Sequence, residues 1–595
     1  MFLCYDFEVF KHDWLIVIKN LVTGKYTKIV NDRDSLVEFY EKHKNFIWIG
    51  FNSRSYDSNI MKAILSGFNP YDMNEWVITN GRKGWEFSDS INKHQFYNYD
   101  VYLENRGSLK RLEGYLGLNI HESNVDFRID RPLTQEEIED TFKYCTHDVD
   151  CTEEVLCRRK GEFDVIWGLI KMFELPISYV SKTKVQVTEA ILDAERKDLN
   201  DEWEFDLEPE HNLVRYKHVQ DWFASPESRK QGAELKIRTK SGDGIVAWGG
   251  IHQCIEKYFS KNVHGYCVDI ASMYPATMIE HNMFSRSCPD VSKFVKIRDQ
   301  RLEFKRAKDK RANILKPAIN GCYGAMGFKY SKLVDMRNMH RVCVFGQLAL
   351  LELNELIEDL CKVTQLNTDG LYFELTDEEL ENGNLDKIKQ ICSDWEKSFK
   401  FDLEWEEYCA LYQSNVNNYI LVHHDGSTKC KGGMVKFNDP LDNDLSILND
   451  AIREYFVNGV PPEKTIQDCD DFIKFQKIYH VSSLYKEALK NCTFRKESYI
   501  KEETGRKNTR TVWNNDGISF YERTFRVFAS KDENEGALYK KKDDKNPEKF
   551  ANCPEHCFIE NGDIRGKKCL DYPQLDKQWY IDEAWKRIAL FKSGK

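Results

Sequence analysis

A chain of 595 residues is too long for one core and implies roughly three to five domains or subdomains. Its 41% hydrophobic and 13% aromatic content excludes wholesale disorder, and a net charge of −11 excludes nucleic-acid binding by overall charge, so any such binding must use local basic patches. No apolar run suits a membrane span, MFLCYDFEVF carries Asp6 and Glu8 where a signal peptide would be apolar, and the eighteen cysteines are scattered like reduced, buried thiols; a cytoplasmic protein with no membrane partner is expected.

The first hundred and fifty or so residues alternate strand-like runs (FLCYDFEVF, WLIVIKN, FIWIGFN) with helical stretches such as SLVEFYEKHK, which predicts an α/β domain. Asp6 and Glu8, two apart on a strand, project from one face. NSRSYD supplies Asn52, Tyr56 and Asp57, and YCTHD sets Tyr144 and Asp148 on one helix face. Four carboxylates brought together would repel unless cations neutralise them, which is the ligand set for two Mg²⁺ or Mn²⁺ ions acting on a phosphodiester. Alone, Asp6 and Glu8 read as a solvated edge strand, and SLKRL (Ser108 to Leu112) as an amphipathic helix start. Residues 161–245 look helical and polar, with SPESRKQGAE and TKSGDG marking a flexible boundary.

A second α/β segment starts at VAWGGIHQC. In GYCVDIASMYP an apolar strand ends at Asp269, ahead of Ser272, Tyr274 and Pro275. A carboxylate at a strand end beside a turn can hold a metal while free amides meet a triphosphate; the plainer reading is a buried strand closed by an Asx turn. RLEFKRAKDKRANILK carries Arg301, Lys305, Arg306, Lys308, Lys310 and Arg311, by itself a solvated helix face. KPAINGCYG puts Lys316, Asn320 and Tyr323 on one helical face, with Pro317 setting Lys316 near a helix start. QLNTDGLYFEL reads as a hairpin turning at Thr368 and Asp369. NNYILVHHDGSTKCKGG offers Tyr419, Lys429 and Lys431, and Thr493 to Phe528 is rich in Lys, Arg and aromatics. Cys553, His556, Cys557 and Cys569 are irregularly spaced for a zinc site.

DFE, N-x-x-x-Y-D and Y-x-x-x-D, in this order, resemble the three exonuclease motifs of family-B DNA polymerases, and SLKRL resembles that family's element for the single-stranded primer end. GYCVDIASMYP is similar to its motif A with Met273 for Leu, KPAINGCYG to motif B with Gly321 for Ser, and LNTDG to motif C with Asn367 for the first Asp. The resemblance implies an α/β (α+β multidomain) fold: an RNase H-like exonuclease domain (1–160), a helical connector (161–245), and a right-hand polymerase with palm (246–290 and 336–432), short fingers (291–335), and thumb and C-terminal region (433–595). It implies Asp6, Glu8, Asp57 and Asp148 as metal ligands for proofreading, with Tyr144 orienting the attacking water, and Asp269 and Asp369 as metal ligands for nucleotidyl transfer. Each active site would take two Mg²⁺ ions, with Mn²⁺ as a substitute.

By the same resemblance Tyr274 packs under the deoxyribose and excludes a 2′-hydroxyl. Lys316, Asn320 and Tyr323 meet the incoming dNTP; because the charge run leads into Lys316, Lys308 and Arg311 are expected as phosphate contacts beside it. Asn52, Tyr56, Ser108 and Leu109 hold single-stranded DNA. Gly249 and Gly250 of WGG, with Thr368, Tyr419, Lys429 and Lys431, hold primer–template DNA. Gaps of 41 residues from Pro275 to Lys316 and 45 from Gly324 to Asp369 leave little room for the insertions of protein-primed enzymes, so a compact, phage-like replicative polymerase with phage replication proteins as partners is expected. Asn367 and Gly321 keep a rival in view, a nuclease or primer-end binding protein whose polymerase site has decayed.

Overall fold

The computed structural model describes residues 1–102, 107–207, 211–501, 506–543 and 545–593. It is a mixed α/β, multidomain structure with two compact units: Met1–Phe163, Phe437–Ala451 and Val460–Trp585 form one, and Asp164–Lys436, Ile452–Gly459 and residues from Lys586 form the other.

In the first unit β1 (Phe2–Val9), β2 (Trp14–Asn20), β3 (Tyr26–Val30), β4 (Ile47–Gly50) and β5 (Asn98–Asp100) make one sheet in the order β3-β2-β1-β4-β5. The first three strands are antiparallel, and β1, β4 and β5 run parallel. The period of two sorts β1: Leu3, Tyr5, Phe7 and Val9 enter a core with Trp48, Ile60 and Ile64, while Cys4 joins Leu15, Val17, Cys145 and Val149 on the other face. Asp6 and Glu8 share that second face. β1 is central in the sheet, which rules out the edge-strand reading of this pair.

Helix Gln135–Arg158 packs on β1 and β2 over the same face. Its start is fixed by a capping box, in which Glu137 N–H donates to Thr134 Oγ1 (3.2 Å) and Thr134 N–H donates to Glu137 Oε2 (2.8 Å). The later residues of this unit are largely β: a sheet of Lys477–His480, Thr524–Ala529 and Cys557–Ile559, a second of Ile518–Phe520, Glu487–Lys490, Leu538–Lys541 and Glu548–Lys549, and a ribbon of Phe494–Lys501 with Arg506–Trp513. Residues 502–505 of the expected thumb stretch lie outside the described residues. Cys553 and Cys557 sulfurs are 4.0 Å apart, but Cys569 donates to the Cys469 carbonyl (3.6 Å), and no ligand cluster among the described residues unites them.

The second unit is built on nine strands: β6 (Leu235–Thr239), β7 (Gly242–Ala247), β8 (Gly250–Cys254), β9 (Tyr258–Ile270), β10 (Lys362–Leu366), β11 (Gly370–Leu375), β12 (Leu403–Asn415), β13 (Asn418–Val422) and β14 (Thr428–Lys431), in the order β14-β13-β12-β9-β11-β10-β8-β7-β6. TKSGDG is the turn of the β6–β7 hairpin rather than a linker, because Ile237 and Val246 are buried in the sheet. Helix Arg311–Met326 runs through Pro317, against the expected helix start there. Burial of Leu315, Ala318, Ile319 and Cys322 holds the helix despite the backbone hydrogen bond that proline cannot donate.

Trp48 is fully buried, with the Tyr5 and Phe96 rings 5.5 and 5.1 Å away. Trp48→Ala should cost roughly 3–5 kcal/mol. Val22→Ala, at a position 70% exposed, should stay within about 0.5 kcal/mol of wild type. Scanning calorimetry separates these outcomes as a lowered and an unchanged Tm.

Candidate active sites

The first unit brings the four N-terminal carboxylates together. Asp57 opens helix Asp57–Leu65, and its Oδ1 accepts the Phe7 N–H at 3.1 Å, which ties it to β1 between Asp6 and Glu8. Asp148 arrives on the long helix beside Cys145, whose thiol donates to the Asp6 carbonyl at 3.3 Å and lies 3.5 Å from Asp6 Oδ2. Burial, then repulsion from Asp57 and Asp148, pushes the Asp6 carboxyl well up; burial, then Asp6 and Asp148, does the same to Glu8. Burial lifts Asp57 to about 7. It lifts Asp148 to about 6 even though Lys110 opposes the shift.

Lys110 is a component that sequence reasoning missed. Its ammonium bonds Asp148, lies 3.0 Å from Glu113 Oε1 and sits 4.3 Å from the centre of the Tyr144 ring. Burial disfavours its charge, but Asp148 and Glu113 outweigh burial and hold it above the ordinary lysine range. Tyr144 is itself pushed up by burial and then by Asp148. Asn52 is exposed in a left-handed turn (φ 55°), Tyr56 donates to Asn74 Oδ1 (2.8 Å), Ser108 is the exposed N-cap of helix Leu109–Tyr115, and Leu109 is buried.

In the second unit β9 lies between β11 and β12, with Asp269 opposite Gly370 on one side and Glu404 on the other. Ile270 N–H donates to the Asp369 carbonyl (2.7 Å) and Asn367 N–H to the Gly370 carbonyl (2.8 Å), which closes the hairpin beside the Asp269 strand end. A side chain at Gly370 would overlap the Asp269 carboxylate, and one at Gly250 (φ 146°) would overlap Thr368. Burial raises Asp269 to about 6, with Lys429 opposing and Asp369 adding to the shift. Lys429 lies 3.9 Å from Asp269 and 3.1 Å from Glu406.

Next to these carboxylates is a cleft of about 620 Å³ lined by Tyr274, Arg301, Lys305, Lys316, Asn320, Asp369 and Glu404. Tyr274 stacks on Tyr323 with ring centres 3.8 Å apart. Lys316 lines the cleft as expected, but the other cations there are Arg301 and Lys305. Lys308 adopts a left-handed turn (φ 54°) and Arg311 pairs with Asp309 (2.6 Å), and neither lines the cleft. Arg301 lies 3.5 Å from Ser272 Oγ, and Lys305 bonds Glu404 at 2.7 Å.

Tyr419 also differs from expectation. It is 4% exposed, with its hydroxyl 3.1 Å from that of Tyr372, so it is a core residue rather than a surface for DNA. Lys431 is exposed; Gly249 and Gly250 line a second cleft of about 780 Å³ with Lys236, Arg238, His252 and Asn417. Asn367 Oδ1 is buried and the Asn367 side chain lies against His252, and a Cβ on Gly321 would meet nothing within 4 Å.

Both carboxylate groups offer the oxygen donors that suit hard divalent cations, and in the first unit burial and mutual repulsion penalise the charges held together there. Since the folded pKa of Asp57 is raised, the folded state retains a proton that the unfolded chain has lost, and stability falls as pH rises from the ordinary aspartate range through about 7. In EDTA, Asp57→Asn should therefore raise Tm at pH 8, and the gain should shrink at pH 5.5 as the wild-type carboxyl protonates. Mn²⁺ should raise the wild-type Tm more than that of the variant; thermal scans at both pH values check this.

No protein-family model and no curated protein matches the chain. Among solved structures, it is similar to the family B DNA polymerase from the hyperthermophilic archaeon Pyrobaculum calidifontis, over 100% of this chain and 78% of that chain, at 14% identity and a TM-score of 0.40. A likeness at that level carries no argument of its own.

Proposed function

We propose that the chain is a template-directed DNA polymerase of the family-B kind, extending a primer 3′-hydroxyl with dNTPs, and that its N-terminal unit is a 3′→5′ proofreading exonuclease. The observation that carries this reading is the register of β9 against β11, which sets Asp269 beside the Asp369 turn at the mouth of a cleft lined with cations. In this reading Asp269 and Asp369 hold Mg²⁺, and Lys316, Arg301 and Lys305 meet the triphosphate. Asn320 and the stacked Tyr274 and Tyr323 border the sugar and base. Bound divalent cations would supply activation of the attacking oxygen and neutralisation of the phosphate charge.

Palm, fingers and an RNase H-like nuclease fold belong to the same proposal, supported by the mixed five-stranded sheet and by the helices between β9 and β10. The ribbon Phe494–Lys501 with Arg506–Trp513, which carries Arg495, Lys496, Lys507 and Arg510, is the proposed grip on duplex DNA. The short gaps around motif B support a compact phage-like replicative enzyme using an ordinary primer, with phage replication proteins as partners. In the N-terminal unit Asp6, Glu8, Asp57 and Asp148 hold the second pair of cations. Lys110 neutralises Asp148 and steadies Tyr144 through its ring. Asn367, a neutral side chain where the family's motif C has its first acid, favours one alternative, a nuclease or primer-end binding protein whose polymerase site has decayed.

A 5′-labelled primer–template incubated with Mg²⁺ should be extended when dNTPs are present and shortened stepwise when they are absent. Asp369→Asn should abolish extension by roughly a hundredfold or more and spare shortening, while Asp6→Ala should do the reverse. Shortening without extension, under both Mg²⁺ and Mn²⁺, would sink the polymerase reading and leave the nuclease. Tyr274→Val should raise ribonucleotide incorporation by about tenfold or more, read as alkali-labile product.

A further inference from the structure

Glu113 lies on the seven-residue helix Leu109–Tyr115 and is fully buried, an uncommon place for a carboxylate. Its oxygens are committed: Oε1 to Lys110 Nζ at 3.0 Å, and Oε2 to the His121 N–H at 3.3 Å and to His147 Nε2 at 3.7 Å. His147 precedes Asp148 on the long helix, so Glu113 touches both the lysine and the neighbour of the carboxylate that the lysine pairs with.

The segment that carries Glu113 is held from 413 residues away. Arg526 is fully buried, and its guanidinium bonds carbonyl oxygens: Nη2 donates to Leu118 (2.6 Å), Gly114 (3.2 Å) and Glu113 (3.4 Å), and Nη1 to Gly562 (2.6 Å) and Glu560 (3.1 Å). Ile120 N–H donates to the Asn561 carbonyl (2.8 Å), and Ile564 N–H to the Gly117 carbonyl (2.9 Å). Glu122 accepts the N–H groups of Arg523 and Thr524 at 2.9 and 2.8 Å. Five carbonyls share the four Nη hydrogens while Nε has no partner among the described residues, so the planar fork, held by carbonyls alone, fixes geometry.

We infer that Glu113 is a positioning residue of the nuclease centre, holding the Lys110 ammonium against Asp148, and that Arg526 fixes the segment bearing Glu113, so that the C-terminal sheet is a working part of the nuclease. This inference rests on the exonuclease reading. A merely structural Glu113 would lower stability without depending on Lys110.

The test follows single-turnover degradation of a 5′-labelled single-stranded oligonucleotide with Mg²⁺, at several oligonucleotide concentrations. Wild type, Glu113→Gln, Lys110→Met and the double variant are compared. Glu113→Gln should slow the maximal rate by about tenfold or more while the half-saturating concentration moves less than about twofold. Added to Lys110→Met, it should slow the rate by less than about twofold, because no ammonium remains to be positioned. Arg526→Lys, which keeps the charge but loses the fork, should behave the same way in both backgrounds. Thermal scans report folding; if Glu113→Gln is unfolded, Glu113→Asp, which retains the charge, takes its place in the cycle. Losses that simply add, or a Glu113→Gln enzyme as fast as wild type, overturn the proposal while the nuclease reading stands. An inactive wild type overturns both.

Discussion

Burying Asp6, Glu8, Asp57 and Asp148 within reach of one another costs free energy, because each charge raises the cost of the next. The surrounding structure reads as a partial answer to that cost. The Phe7 amide donates to Asp57, the Cys145 thiol faces Asp6, and the Lys110 ammonium offsets Asp148. Lys110 is itself desolvated and needs Glu113, and Glu113 needs the amide of His121 and the imidazole of His147. The chain of partners runs outward from the carboxylates until it meets backbone. What it leaves uncompensated is the share that a bound divalent cation can take.

The second unit meets a smaller version of the same problem with strand register. Asp269 is forced close to the Asp369 turn by the pairing of β9 with β11, and Gly370 supplies the space in which its carboxylate sits. Lys429 reaches the pair from the neighbouring strands, and Glu406 draws it away from full neutralisation of Asp269. The cleft thus presents Asp369 and Glu404 together with Arg301, Lys305 and Lys316, a mixed lining that suits a metal–triphosphate ligand carrying both signs of charge.

Features governed by short-range periodicity were legible in the sequence. The common face of Asp6 and Glu8, the i, i+4 pair of Tyr144 and Asp148, and the hairpin at Asp369 each depend on a few neighbouring residues. Lys110 was not legible, because its partner Asp148 is 38 residues away and nothing local distinguishes it from Arg111. Arg301 and Lys305 stand in the same charge run as Lys308 and Arg311, and nothing local says which of them face the cleft; the chain turns at Lys308, and Arg311 pairs with Asp309. Tyr419 is expected at the DNA from its position after motif C alone, and packing against Tyr372 puts it inside. Pro317 was given its usual place at a helix start, and burial of its neighbours overrode the preference. The membership of Phe437–Ala451 and Val460–Trp585 in the N-terminal unit leaves no local trace at all.

That membership sets an order on how the chain can become a protein. Glu122 and the amides of Arg523 and Thr524 are 401 and 402 residues apart. At ribosomal speeds of about 5–20 residues per second, the segment around Glu113 waits roughly 20–80 s for its partners to be synthesised. During that interval the central unit emerges nearly whole, while the first sheet exists without the elements that fix Lys110. A nascent chain released early would therefore carry a nearly whole second unit and an unfinished first one, so premature termination and translational pausing would weigh unequally on the two chemistries proposed for it.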